Sequence, residues 1–80
     1  MSQFEKLLEK IKNNPRDIRF EELEKLLRRL GFNIRQPRGG SSHYYFSNGQ
    51  TSISIPRHGK YVGYVYVEQV IDILKNEGVL

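Results

Sequence analysis

His43-Tyr44-Tyr45-Phe46-Ser47-Asn48-Gly49-Gln50-Thr51-Ser52-Ile53-Ser54-Ile55 is where the fold can first be read. Two β-prone runs flank Asn48-Gly49, the dipeptide that most strongly signals a two-residue hairpin turn. With that turn, Ser47 stands opposite Gln50, Phe46 opposite Thr51, Tyr45 opposite Ser52, Tyr44 opposite Ile53 and His43 opposite Ser54. Side chains alternate along a strand, so one face takes Tyr44, Phe46, Ile53 and Ile55. The other takes His43, Tyr45, Ser52 and Ser54. The first face is fit for packing and the second for water. A slip of one residue would exchange them.

Working back from the hairpin, residues 37–42 form a loop rich in glycine and serine. Phe32, Asn33, Ile34 and Arg35 alternate as a half-buried strand, with Asn33 and Arg35 turned to the polar face. Gly31 ends a helix over residues 20–30, whose Phe20, Leu23, Leu26, Leu27 and Leu30 share one side. That helix has no good capping residue at its start. An earlier helix over residues 2–13 places Phe4, Leu7, Leu8 and Ile11 on one face, with Ser2 and Glu5 as a capping box. Asn13-Asn14-Pro15 stops it.

Beyond the hairpin, residues 56–63 read as loop. A last helix carries the stripe Val67, Val70, Ile71 and Leu74 and is stopped by Gly78; its part from Gln69 to Glu77 is ordinarily amphipathic, with charges that solvate it. The order is α-α-β-β-β-α, an α+β domain with helices on one face of a small antiparallel sheet.

The 80 residues make one domain with a modest core. There is no cysteine, hence no disulfide framework and no cysteine-based zinc site. No apolar run approaches the roughly 18 residues that cross a bilayer, so no membrane role is expected. The first residues lack the apolar block of a signal peptide, and a cytoplasmic protein is the expectation.

The net charge is only +4, but no acid stands between Glu24 and Glu68. Within that span lie Lys25, Arg28, Arg29, Arg35, Arg38, Arg57 and Lys60. A basic centre carrying aromatics points to a polyanion, nucleic acid above all, and otherwise to a solvated basic face.

His43 therefore sits on an open, basic face among hydroxyls. A histidine at a strand start is commonly a satisfied polar residue. On such a face it is also what phosphodiester chemistry needs, a group of pKa about 6.5 that moves protons near neutrality. RNA brings its own nucleophile, the 2′-hydroxyl, and Arg35, Arg38, Arg57 and Lys60 are candidates to bind phosphate. Tyr45 reads equally as a cover for the sheet or as a platform for a base. His58 reads as a plain loop histidine, a phosphate contact or a second acid or base. The two histidines fit no common zinc spacing, no metal site is read, and no cofactor motif is present.

These residues together resemble the HicA (YcfA-like) family of toxin–antitoxin toxins over Phe20 to Gly78. The resemblance rests on the helix from Phe20 into Gly31-Phe32, on Gly40-Ser41-Ser42-His43 followed by Tyr44, Tyr45 and Phe46, on Pro56-Arg57-His58 and on the closing Glu77-Gly78-Val79-Leu80. It implies a double-stranded-RNA-binding-domain-like fold and an mRNA-cleaving ribonuclease with His43 as catalytic residue. It also implies a HicB-type antitoxin partner that covers the RNA-facing surface. Gly40, Ser41, Ser42, Arg35, Arg38, Tyr45, Ser54, Arg57, His58 and Lys60 are the candidate RNA-binding residues. Many family members begin near Phe20, so residues 1–16 read as an added helix before a domain of residues 17–80. That helix would enlarge the core or extend an antitoxin or self-association surface.

Two other functions fit the same residues. One is a non-catalytic module that holds structured RNA. The other is a protein-interaction domain whose basic face docks an acidic partner.

Overall fold

The computed structural model describes residues 2–36, 39 and 42–80, so Pro37, Arg38, Gly40 and Ser41 lie outside the described residues. Its elements run α1 (Gln3–Asn13), α2 (Phe20–Arg29), β1 (Asn33–Arg35), β2 (His43–Ser47), β3 (Ser52–Pro56) and α3 (Tyr64–Asn76). The strands form one antiparallel sheet in the order β1-β2-β3. The expected α+β order is therefore the observed one. Among the described residues no helix is long and apolar enough to cross a membrane.

The strand alternation decides where the core sits. Phe46, Ile53 and Ile55 are buried, while His43, Tyr45, Ser52 and Ser54 on the opposite parity are exposed. α2 and α3 cover the first face, and α1 packs against both of these helices. Phe20 of α2 lies with its ring 4.9 Å from that of Tyr44 and 6.0 Å from that of Phe46. Val67, Val70 and Leu74 of α3 and Ile11 of α1 complete the same apolar cluster. Fully burying one such side chain stabilises the fold by about 1.5–3 kcal/mol.

The hairpin departs from expectation in its turn. Ser47 pairs with Ser52, Phe46 with Ile53, Tyr45 with Ser54, Tyr44 with Ile55 and His43 with Pro56. The loop is thus the four residues 48–51 rather than the two residues Asn48-Gly49. The cause is the Asn48 side chain. Its Oδ1 accepts the backbone N–H of Gln50 at 2.9 Å and that of Thr51 at 2.7 Å, while the Asn48 backbone N–H donates to the Thr51 carbonyl. An asparagine that closes an Asx-turn in this way competes with the tight turn. Gly49 takes the left-handed conformation there, at φ 91°. The register has moved by two residues, an even number, so neither face changes side.

Helix ends explain the rest of the local structure. Ser2 caps α1, its hydroxyl accepting the Glu5 N–H at 3.2 Å. At α2 the N-cap is Arg19, which has no acceptor in its side chain. Glu22 compensates by reaching back to the Arg19 N–H at 3.0 Å, half of a capping box. The Glu22 carboxylate also holds Lys10 of α1 at 2.7 Å. Partial burial pushes its pKa up. The Lys10 hydrogen bond, the Arg19 N–H and the charges of both residues outweigh that and leave it below the usual carboxylate value.

Both Gly31 and Gly78 close Schellman motifs. Phe32 N–H bonds the Leu27 carbonyl and Val79 N–H that of Leu74. α3 begins at Tyr64, directly after the expected loop, and buries Val67, Val70 and Leu74 of the expected stripe while exposing Tyr64 and Val65 in its first turn.

Candidate nucleic-acid interface

The face of the sheet away from the helices is built by the alternation alone. β1 contributes Asn33 and Arg35, β2 His43, Tyr45 and Ser47, and β3 Ser52 and Ser54. Tyr45 is the apolar landmark, 47% exposed, with Arg35 as its neighbour on β1 and Ser54 on β3. Its phenol donates to Ser52 Oγ at 3.1 Å, diagonally across the hairpin. A shallow depression lies over β1 and β2, lined by Asn33, Arg35, Tyr45, Ser47 and Gly49. Asn33 and Ser47 were not among the residues expected to bind. Their position in the alternation was the only signal available.

His43 opens β2 on this face and is exposed, opposite Pro56. A strand rises about 3.3 Å per residue, so His43 lies about 7 Å along β2 from Tyr45 and its neighbour Arg35. Among the described residues Arg35 has no carboxylate at ion-pair distance. A cation, an aromatic ring and an imidazole thus share one solvated surface, with hydroxyls between them. Such a surface can receive a phosphodiester backbone and a stacked base.

The segment after β3 places the other candidates. His58 Nε2 lies 3.1 Å from Ser42 Oγ, which brings the second histidine beside the residue preceding His43. Arg57 turns the other way. Its guanidinium bonds Glu21 at the start of α2 and stacks 4.8 Å over the Phe20 ring, so it is held on the helix layer. Lys60 is exposed, its ammonium 5.4 Å from the centre of the Tyr61 ring. Arg38, Gly40 and Ser41 lie outside the described residues. Gly39 takes φ 60°, a left-handed value that glycine adopts without strain.

The basic centre read from the sequence is consequently not a single surface. Lys25, Arg28 and Arg29 belong to α2, where Arg28 pairs with Glu24 at 2.9 Å and Arg29 lies 5.8 Å over the Phe4 ring. An acid of the same helix, Glu24, reaches Arg28, and one distant in sequence, Glu21, reaches Arg57. Among the described residues there is no group of three or more histidine, aspartate or glutamate side chains that could hold a metal ion.

Against known proteins, residues 20–79 match a family model described as HicA toxin of bacterial toxin-antitoxin. Comparison with curated proteins and with solved structures returns no significant match. The matched span begins at the first residue of α2 and takes in the whole sheet and α3, leaving α1 outside.

Proposed function

The chain belongs to the family of HicA toxins of bacterial toxin–antitoxin systems, and from that premise we propose that it is an endoribonuclease that cuts mRNA through His43. The observation that carries the reading is the exposure of His43 on a helix-free sheet face that also presents Arg35 and Tyr45. A group able to take a proton near pH 7 is of use to a phosphodiester only where the phosphodiester can reach it.

In this mechanism the RNA backbone runs over the open face. Arg35 neutralises a phosphate, with Arg38 and Lys60 contributing from the flanking loops, and Tyr45 stacks on a base. Ser54 and Ser41 offer hydroxyls, and Gly40, Ser41 and Ser42 offer backbone N–H groups. The imidazole of His43 removes the proton of the 2′-hydroxyl. That oxygen forms a bond to phosphorus, the bond from phosphorus to the 5′ oxygen breaks, and the leaving oxygen takes a proton from water. Acting instead as the acid, His43 would give the same products. Charge building on the non-bridging oxygens is met by the arginine. Arg57, tied to Glu21 and Phe20, supports the site from beneath and is not counted among the phosphate contacts.

A toxin of this family has a cognate antitoxin. A HicB-type partner would silence this one by covering the same face, which an acidic surface could do at the expense of RNA. Both the target mRNA and such a partner would be met in the cytoplasm.

The chemistry of the cut ends tests the mechanism. Attack by the 2′-hydroxyl leaves a 2′,3′-cyclic phosphate and a 5′-hydroxyl, resolved by mass spectrometry of a short oligonucleotide. Products with 5′-phosphate ends would refute it.

A further inference from the structure

Two bonds converge on Ser42, the residue that hands the chain to His43. Its carbonyl accepts the Arg57 N–H at 2.8 Å, which carries the β2–β3 ladder one step past Pro56. Its hydroxyl lies 3.1 Å from His58 Nε2. The segment that supplies both contacts is itself fixed. Pro56 is buried, and Arg57 is tied to Glu21 and lies over Phe20 in the helix layer. His43 would therefore draw its placement from the far side of the hairpin.

We propose that His58 is a positioning residue, whose hydrogen bond to Ser42 fixes the backbone from which the His43 ring projects. This rests on the reading of His43 as the group that moves the proton. A catalytic side chain has to be held within about 0.5 Å of its productive position, and the first residue of a strand, where the ladder ends, does not supply that by itself. The contact holds in every protonation state of His58. With Nε2 bare, the Ser42 hydroxyl donates to it; with Nε2 protonated, the hydroxyl oxygen accepts.

The test is a double-mutant cycle with a spectroscopic arm. Cleavage of a defined RNA is measured for wild type, Ser42→Ala, His58→Ala, the double variant and His58→Gln, whose side-chain amide can reach the Ser42 hydroxyl. Each alanine variant should lower kcat by about tenfold with KM changed by less than about twofold, because misplacement rather than lost binding is the defect. The double variant should be no worse than either single one, and His58→Gln should recover most of the rate. Losses that multiply, or a silent Ser42→Ala beside an inactive His58→Ala, would overturn the proposal. The chain has only two histidines, so the ring resonances of His43 can be followed directly by NMR. They should shift or broaden in both alanine variants, and unchanged resonances would also overturn it. If wild type cuts no RNA, the proposed function falls, and the His43 resonances alone then decide whether His58 positions it.

Discussion

Ile11 tests whether α1 is part of the folding unit or an appendage to it. The side chain is 1% exposed and lies in the same cluster as Leu23 and Leu26 of α2. Phe4, Leu7 and Leu8 pack against that cluster from the same helix face. Ile11→Ala removes three buried carbons and leaves a cavity, at a cost of about 2–5 kcal/mol for such a substitution. A domain of this size has a total stability of about 4–12 kcal/mol, from about 0.05–0.15 kcal/mol per residue. A loss of about 3 kcal/mol is thus a large share of the whole. With a urea slope of about 1 kcal/mol/M it moves the unfolding midpoint down by about 3 M. The assay is urea unfolding followed by circular dichroism, with Lys12→Ala, an exposed residue of the same helix, as control. A single cooperative transition should persist, shifted for Ile11→Ala and unmoved for Lys12→Ala. A shift under about 0.5 M, or a separate early transition for α1, would refute the claim that α1 folds as part of the core.

Four further outcomes are expected. Glu22 has a lowered pKa in the folded protein, so its contribution is present above the unfolded carboxylate value and is lost as pH falls through the folded one. Glu22→Gln should lower stability by about 1 kcal/mol at pH 7 and flatten the acid limb of the stability–pH curve, which urea titrations at several pH values would read. Arg35→Gln should weaken RNA binding at low salt and reduce the slope of log K against log salt by about 0.7 for a single strand; an unchanged slope would remove Arg35 from the interface. Tyr45→Ala should cost about 1–3 kcal/mol in RNA affinity measured by fluorescence anisotropy, whereas Tyr45→Phe keeps the ring and should cost far less. Asn48→Ala should lower the unfolding midpoint by the equivalent of about 1–2 kcal/mol, since two backbone N–H groups lose their acceptor.

The elements that were legible in advance are those governed by periodicity. Phe20, Leu23, Leu26 and Leu27 repeat at helical spacing and are buried as that spacing requires. The alternation from His43 to Ile55 fixes which side chains meet the helices, and it survives the change of turn because the register moved by two. What could not be read depends on side chains acting on distant backbone. The Asn48 carboxamide chooses a wider turn than its dipeptide signals. Glu22 caps a helix whose N-cap is an arginine. Arg57, one of a run of bases in the sequence, is drawn to Glu21 at the far side of the fold, so sequence neighbours such as Arg57 and His58 end on different surfaces. A charge count along the chain carries no information on such pairings, which is why the basic centre resolves into an α2 group and an open-face group.

The measurement that bears most directly on function compares wild type with His43→Ala on single-stranded RNA in EDTA, products resolved on a gel. His43 is exposed, so its replacement leaves the core intact, which matching thermal melts will verify. The account predicts that wild type cuts the RNA and that His43→Ala does not, with both proteins still binding it. Cutting by both at equal rates, or by neither, would contradict it.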